Sequence, residues 1–210
     1  MLGALLSLSA CNGIFESIYD QPTTETEFRY GFNSVNTTDE ATGTVYIDAT
    51  SYTRWIYIDF HSQKIDSVEI TPDAQTPEHW DIAIHRYDVK TNESTVFETG
   101  FTGLSTLLSS GSMPQGTYVG DEWTTDKIII DMSTMADGYL GYAESSYNTE
   151  LSKWLNVDKS SMPPIYTPSN KVYVLKLKDG TTAAIRLKSY MNAIGVKGYM
   201  TFDYIYPLEF

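Results

Sequence analysis

Polar and apolar positions alternate through much of this chain with a period of two. That is the signature of strands with one face turned inward. Thr44-Val45-Tyr46-Ile47-Asp48 reads as one strand, and Arg54-Trp55-Ile56-Tyr57-Ile58-Asp59-Phe60 as a second that is apolar on both faces. Lys64 to Ile70 gives a third. A loop, Thr71-Pro72-Asp73-Ala74-Gln75-Thr76-Pro77, leads into Trp80-Asp81-Ile82-Ala83-Ile84-His85-Arg86-Tyr87-Asp88-Val89. This run holds no turn residue and is rich in aromatic and β-branched side chains, so it is expected to be one central strand covered on both sides. His85 and Arg86 would then be buried or half-buried beside Asp81 and Asp88 and would need polar partners.

After a turn at Lys90-Thr91-Asn92-Glu93, Ser94 to Glu98 returns to strand character. Residues 100 to 125 are dominated by Gly, Ser, Thr and Met and read as loop; Lys127 to Asp131 is a short strand. Met132 to Pro168 reads as irregular, with some helix around Thr149 to Leu155. A loop region that long is functional or disordered, and its Tyr139, Tyr142, Tyr147, Trp154 and Tyr166 argue against disorder. Regular alternation resumes at Val172 to Leu177. It pairs with Ala183 to Leu187 through Lys178-Asp179-Gly180-Thr181, since Asp-Gly favours a tight hairpin turn. Lys197 to Tyr206 is the last strand, closed by Pro207. Roughly ten strands without alternating helices predict an all-β fold, a single antiparallel β-sandwich or roll with long loops.

Composition narrows the function. A net charge of -13 disfavours nucleic acid as a partner. No apolar run reaches the roughly 18 residues of a membrane-spanning helix. The single cysteine, Cys11, ends Leu8-Ser9-Ala10-Cys11 after a short apolar stretch, which matches a bacterial lipobox. Cys11 is therefore expected to carry lipid. Residues 1-11 would be the signal segment, 12-25 a tether and 26-210 the folded domain. The positively charged start of such a signal is missing, so the natural start is expected upstream.

Catalytic signals are weak. His61, His79 and His85 form no His-x-x-x-His pair, and no Gly-x-Ser-x-Gly elbow is present. Acidic residues are too abundant for a carboxylate pair to carry weight. The methionines are more informative. Met113, Met132 and Met135 lie in or beside loop sequence, and Met162 sits in Ser160-Ser161-Met162-Pro163-Pro164, where there is little local core to fill. Thioethers are soft ligands suited to haem iron or copper(I), with core packing the commoner role.

Three stretches together resemble one family. They are Thr44 to Ala49 with Trp55 to Phe60; Trp80 to Val89; and Ser169 to Val174 continuing through Ala183 to Leu187, Tyr190 and Gly198 to Pro207. They are similar to the HmuY-like haem-binding lipoproteins of anaerobic Gram-negative bacteria. The resemblance implies an all-β haemophore, not an enzyme. Such a protein is lipid-anchored in the outer membrane at the cell surface or released. Its cofactor is haem, and its partners are an outer-membrane haem receptor and host haemoproteins. The founding member ligates iron with two histidines, and neither matching place holds a histidine here. Other members use two methionines. The matching positions are Met135 and Met162, with Met132 and Met113 as reserves for the first and Tyr139 a weaker one. Two thioethers would favour ferrous haem over what a bis-histidine site prefers. Lys153 and Lys159 are the nearest cations in sequence for the haem propionates. Two other readings compete. One is a surface lipoprotein binding glycan or protein through Trp123, Tyr139, Tyr142 and Trp154; the other is a hydrolase built on acidic residues.

Overall fold

A computed structural model describes residues 29–34 and 41–210. Cys11 and the expected tether at 12-25 lie outside them. Two antiparallel sheets pack face to face, consistent with the sandwich expected from alternation. The first has six strands in the order β1 (Gly31–Ser34), β2 (Ala41–Asp48), β14 (Lys197–Tyr206), β13 (Thr182–Met191), β12 (Tyr173–Lys176), β7 (Thr95–Glu98). The second has four: β4 (Lys64–Glu69), β3 (Arg54–Asp59), β5 (Ile82–His85), β6 (Asp88–Thr91). Between the sheets lies the main core, with Val45, Ile47, Ile58, Ile82, Ile84, Ile185, Phe202 and Tyr204 among its buried side chains.

Strands that are apolar on both faces are covered on both sides. In β3, Ile56 and Ile58 face the main core, while Trp55 and Tyr57 face outward with Ala83. That outer face is covered by the hairpin of β8 (Glu122–Asp131) and β9 (Gly141–Tyr147), whose Ile128, Ile130, Ala143 and Tyr147 pack on it. On the outer face of the six-stranded sheet, Val172, Val174, Ala184 and Ile205 meet Leu107 of a short helix, α1 (Leu104–Ser109).

The run Trp80 to Val89 is not one strand. It folds back at Arg86-Tyr87, so that His85 pairs with Asp88 and Ile82 with Thr91. Arg86 takes a left-handed conformation, φ 57°. Its guanidinium donates to the Thr50 carbonyl at 2.6 Å and lies 4.6 Å from the Tyr52 ring centroid, which holds the turn without glycine or asparagine. His85 is buried, with Nε2 2.8 Å from the Tyr52 carbonyl. Burial pushes it down to about 4 and keeps the ring neutral.

The region from Met132 to Pro168, expected to be irregular, holds three paired strands. They are β9, which pairs back onto β8, and then β10 (Leu155–Asp158) paired with β11 (Ile165–Pro168); β8 itself begins at Glu122, five residues before the strand expected at Lys127. The expected helix near 149–155 is a single 3₁₀ turn, Leu151–Trp154.

Candidate functional site

Each of the two hairpins carries one expected ligand at its tip. In the β8–β9 hairpin, residues 132–140 link the strands and include a 3₁₀ turn at Met135–Asp137. The turn is built locally. Ser133 N–H donates to Asp131 Oδ1 at 2.8 Å, and Gly138 N–H and Tyr139 N–H donate to the carbonyls of Met135 and Thr134 at 3.0 and 3.2 Å. Gly138 closes it at φ 85°, a conformation that suits glycine. Because the backbone is satisfied within the turn, the side chains of Met135 and Tyr139 point away from any core, at 46% and 72% exposed.

In the β10–β11 hairpin, residues 159–164 form the tip. Asp158 Oδ1 accepts from Ser160 N–H at 2.8 Å, and the Ser161 hydroxyl donates to the Pro163 carbonyl at 3.1 Å. Met162 is 79% exposed. The base of this hairpin is anchored in the core. Trp154 is fully buried and donates its indole N–H to the Tyr87 carbonyl at 2.8 Å. Tyr166 stacks on Tyr190 with ring centroids 5.4 Å apart and meets Tyr87 edge-on at 6.0 Å.

Both hairpins converge on the β5–β6 turn. The segment between them is fixed there by Asn148, whose backbone N–H donates to the Val89 carbonyl at 2.8 Å. Next to Tyr87, the half-buried Asp88 is pushed up to about 7 by burial. The positive charges of Lys159, on the second hairpin, and Lys127, on the first, act on it in the opposite direction, as does Arg86.

Of the ten exposed large apolar side chains among the described residues, six lie on these two hairpins: Trp123, Met135, Tyr139, Tyr142, Met162 and Ile165. Met135 and Tyr139 share the first tip, and Met162 and Ile165 lie at the second, while Trp123 pairs with Ser146 near the root of its hairpin. Met132 is half-buried at the foot of the first tip. Met113 is not brought here; it packs with Leu107 and Phe101 on the far sheet face. Trp154, expected among the glycan-binding aromatics, is core and offers no face to a ligand. Lys153 pairs with Glu150 at 2.6 Å.

At the other end of the sandwich, His61 joins the two sheets. Its Nε2 lies 2.8 Å from Asp179 in the β12–β13 turn, and its Nδ1 lies 3.5 and 3.6 Å from Asp81 and Asp59. Burial lowers the His61 pKa, but Asp179 and Asp81 outweigh it and the net shift is upward. Buried Asp59 accepts from the backbone N–H groups of His61 and Ser62 and from the Ser62 hydroxyl, and buried Asp81 accepts from Phe60 N–H. These carboxylates are committed to holding the turn, so the cluster reads as a clasp. No spacing rule in the sequence joins residues so far apart.

Comparison with known proteins shows the family. A family model described as HmuY protein matches residues 51–204. The crystal structure of a candidate lipoprotein of Bacteroides fragilis is 60% identical, with a TM-score of 0.82, covering 89% of this chain and 100% of that one. A candidate HmuY-like heme binding protein of Bacteroides vulgatus is 62% identical at the same TM-score, covering 87% of this chain and 100% of that one. The apo HmuY analog of Tannerella forsythia, 24% identical over 83% of this chain and 100% of its own, shares the fold at a TM-score of 0.69. No curated protein sequence matches.

Proposed function

Because the chain belongs to the HmuY family, we propose that it is a haem-binding surface lipoprotein that holds haem iron between Met135 and Met162 and hands it to an outer-membrane receptor. The observation that carries this reading is the pair of exposed thioethers, one at the tip of each of two neighbouring hairpins. The donor set fits the ligand: haem supplies an iron with two axial positions, and thioether sulfur is an established axial donor. A methionine placed for packing would be covered; Met162 is 79% exposed and Met135 46%. Tyr139, Tyr142 and Ile165 supply uncovered apolar surface beside them, as a largely apolar macrocycle requires.

The chain's own part is binding, with no bond made or broken in the ligand. The local hydrogen bonds of each tip preset the two sulfurs' backbone positions, which limits the ordering cost on binding. Soft sulfur donors favour the ferrous state. Delivery needs the ligand to leave, and two weak axial donors on separate hairpins allow the site to open by parting the tips. Cys11 would tether the domain to the membrane through lipid.

The test is a haemin titration followed by absorption. Saturation at one haemin per chain is expected, with weaker binding in Met135→Ala and in Met162→Ala. A protein that gives no saturable spectrum would point instead to a glycan or protein ligand.

A further inference from the structure

The most exposed large apolar side chain among the described residues is on neither hairpin. Ile194, at 83%, and Val196, at 44%, sit in the turn between β13 and β14. This turn is built stiff. Asn192 Oδ1 accepts from the N–H groups of both Ile194 and Val196, at 3.1 and 2.9 Å. Asn192 N–H donates to the Val196 carbonyl at 3.1 Å, and Gly195 N–H to the Asn192 carbonyl at 3.0 Å. Gly195 supplies the left-handed residue, φ 81°. The backbone is thus satisfied inside the turn and both side chains are held outward.

The turn lies at the hairpin end of the molecule. Lys197 Nζ sits 4.1 Å from the centroid of the Tyr166 ring, on β11, the residue after exposed Ile165. Tyr190, at the other side of the turn, stacks on the same ring. The β5–β6 turn, whose Tyr87 meets Tyr166 edge-on, touches it too: a Cβ on Gly198 would come within 2.6 Å of Arg86 Nη1. Charge agrees with position. In a chain of net charge -13, no acidic residue occurs between Asp179 and Asp203. A ligand carrying carboxylates meets no repulsion from the turn itself.

We propose that the β13–β14 turn is a third contact element of the ligand site, with Ile194 and Val196 touching the apolar part of the macrocycle. This rests on the haem-binding reading and adds residues that touch the ligand without ligating iron.

The experiment compares the parent with Ile194→Gln and Val196→Gln, singly and together, by haemin titration and by hydrogen exchange of residues 192–196 with and without haemin. Neutral replacements separate lost contact from added charge, and both sites are exposed, so melting should not change. The expected result is an affinity about tenfold lower in the double variant. The absorption spectrum at saturation should match the parent's, because the iron ligands are untouched, and haemin should slow exchange in the parent's turn. Parent-like affinity in the double variant without protection of the turn would overturn the inference while leaving haem binding intact. An altered spectrum at saturation would also overturn it, since the turn would then act through the iron ligands. A parent that fails to bind haemin would overturn both readings; self-association or protein capture lost in the double variant would then assign the turn to a macromolecular contact.

Discussion

Replacing Asn148 by alanine should loosen both hairpins at once. Asn148 is fully buried between the end of β9 and the 3₁₀ turn that precedes β10. Its side-chain N–H groups donate to the Val119 carbonyl at 3.2 Å and to Asp121 Oδ1 at 2.9 Å, and its Oδ1 accepts from Leu151 N–H at 2.8 Å. Two bonds to neutral groups contribute about 1 kcal/mol each and the bond to a carboxylate about 2 kcal/mol. The variant should therefore lose about 4 kcal/mol, because alanine also strands the Leu151 N–H. At roughly 2–4 °C per kcal/mol for a domain of this size, the melting midpoint should fall by about 10 °C. Asn148→Asp is the informative partner. It keeps the acceptor but sets a second carboxylate beside Asp121, so it should be at least as damaging at neutral pH and recover in mild acid. Urea unfolding followed by tryptophan fluorescence measures both. A loss below about 1 kcal/mol in Asn148→Ala would refute the view that this residue pins the hairpin roots.

Other expectations follow from single sites. Gly198→Ala should destabilise by about 1–3 kcal/mol, because φ is +101° and the new Cβ would press on Arg86 Nη1 at 2.6 Å and Thr50 Cα at 3.0 Å; an unchanged midpoint would contradict this. Asp88 titrates at about 7 when folded, against about 3.9 when unfolded, so its contribution to stability falls as pH rises from about 4 to 7. His85, opposite it in register and pushed down to about 4, acts in the other sense: its contribution rises with pH from about 4 to about 6.5. Asp88→Asn should remove only the first effect and gain stability relative to the parent between pH 5 and 7; parallel stability profiles would count against it. For His61 the raised value means that its contribution is full below about 6.5 and lost as pH rises through the folded value. Asp179→Asn should accordingly destabilise more at pH 6 than at pH 9, and a pH-independent loss would remove His61 from the clasp.

Much of the fold could be read from alternation, because both sheets have an inward face that must be apolar. Lys197–Tyr206 is the last strand as expected, and the strands on either side of Asp179-Gly180 pair as expected. The turn at Arg86 was not legible. It carries no glycine or asparagine and is held by Thr50 and Tyr52, more than thirty residues away in sequence. The two hairpins were hidden for a related reason. Their strands are short or rich in Ser, Thr and Tyr, and their cover comes from Trp55, Tyr57 and Tyr87, which local pattern cannot supply. A helix of six residues, Leu104–Ser109, is too short to show a 3.6-residue period. At the site, resemblance supplied Met135 and Met162. What brings the second hairpin to the β5–β6 turn and to the β13–β14 turn was not legible, because it depends on contacts such as Tyr87 with Tyr166 and Lys197 with Tyr166, more than thirty residues apart in sequence.

The measurement that bears most directly on two-methionine ligation is the ferrous absorption spectrum of the haem-loaded, dithionite-reduced parent beside Met135→Ala and Met162→Ala. The parent should be six-coordinate and low-spin, and each variant should lose that signature, since removing either sulfur empties one axial position. Both variants keeping the parent's spectrum would contradict ligation by this pair.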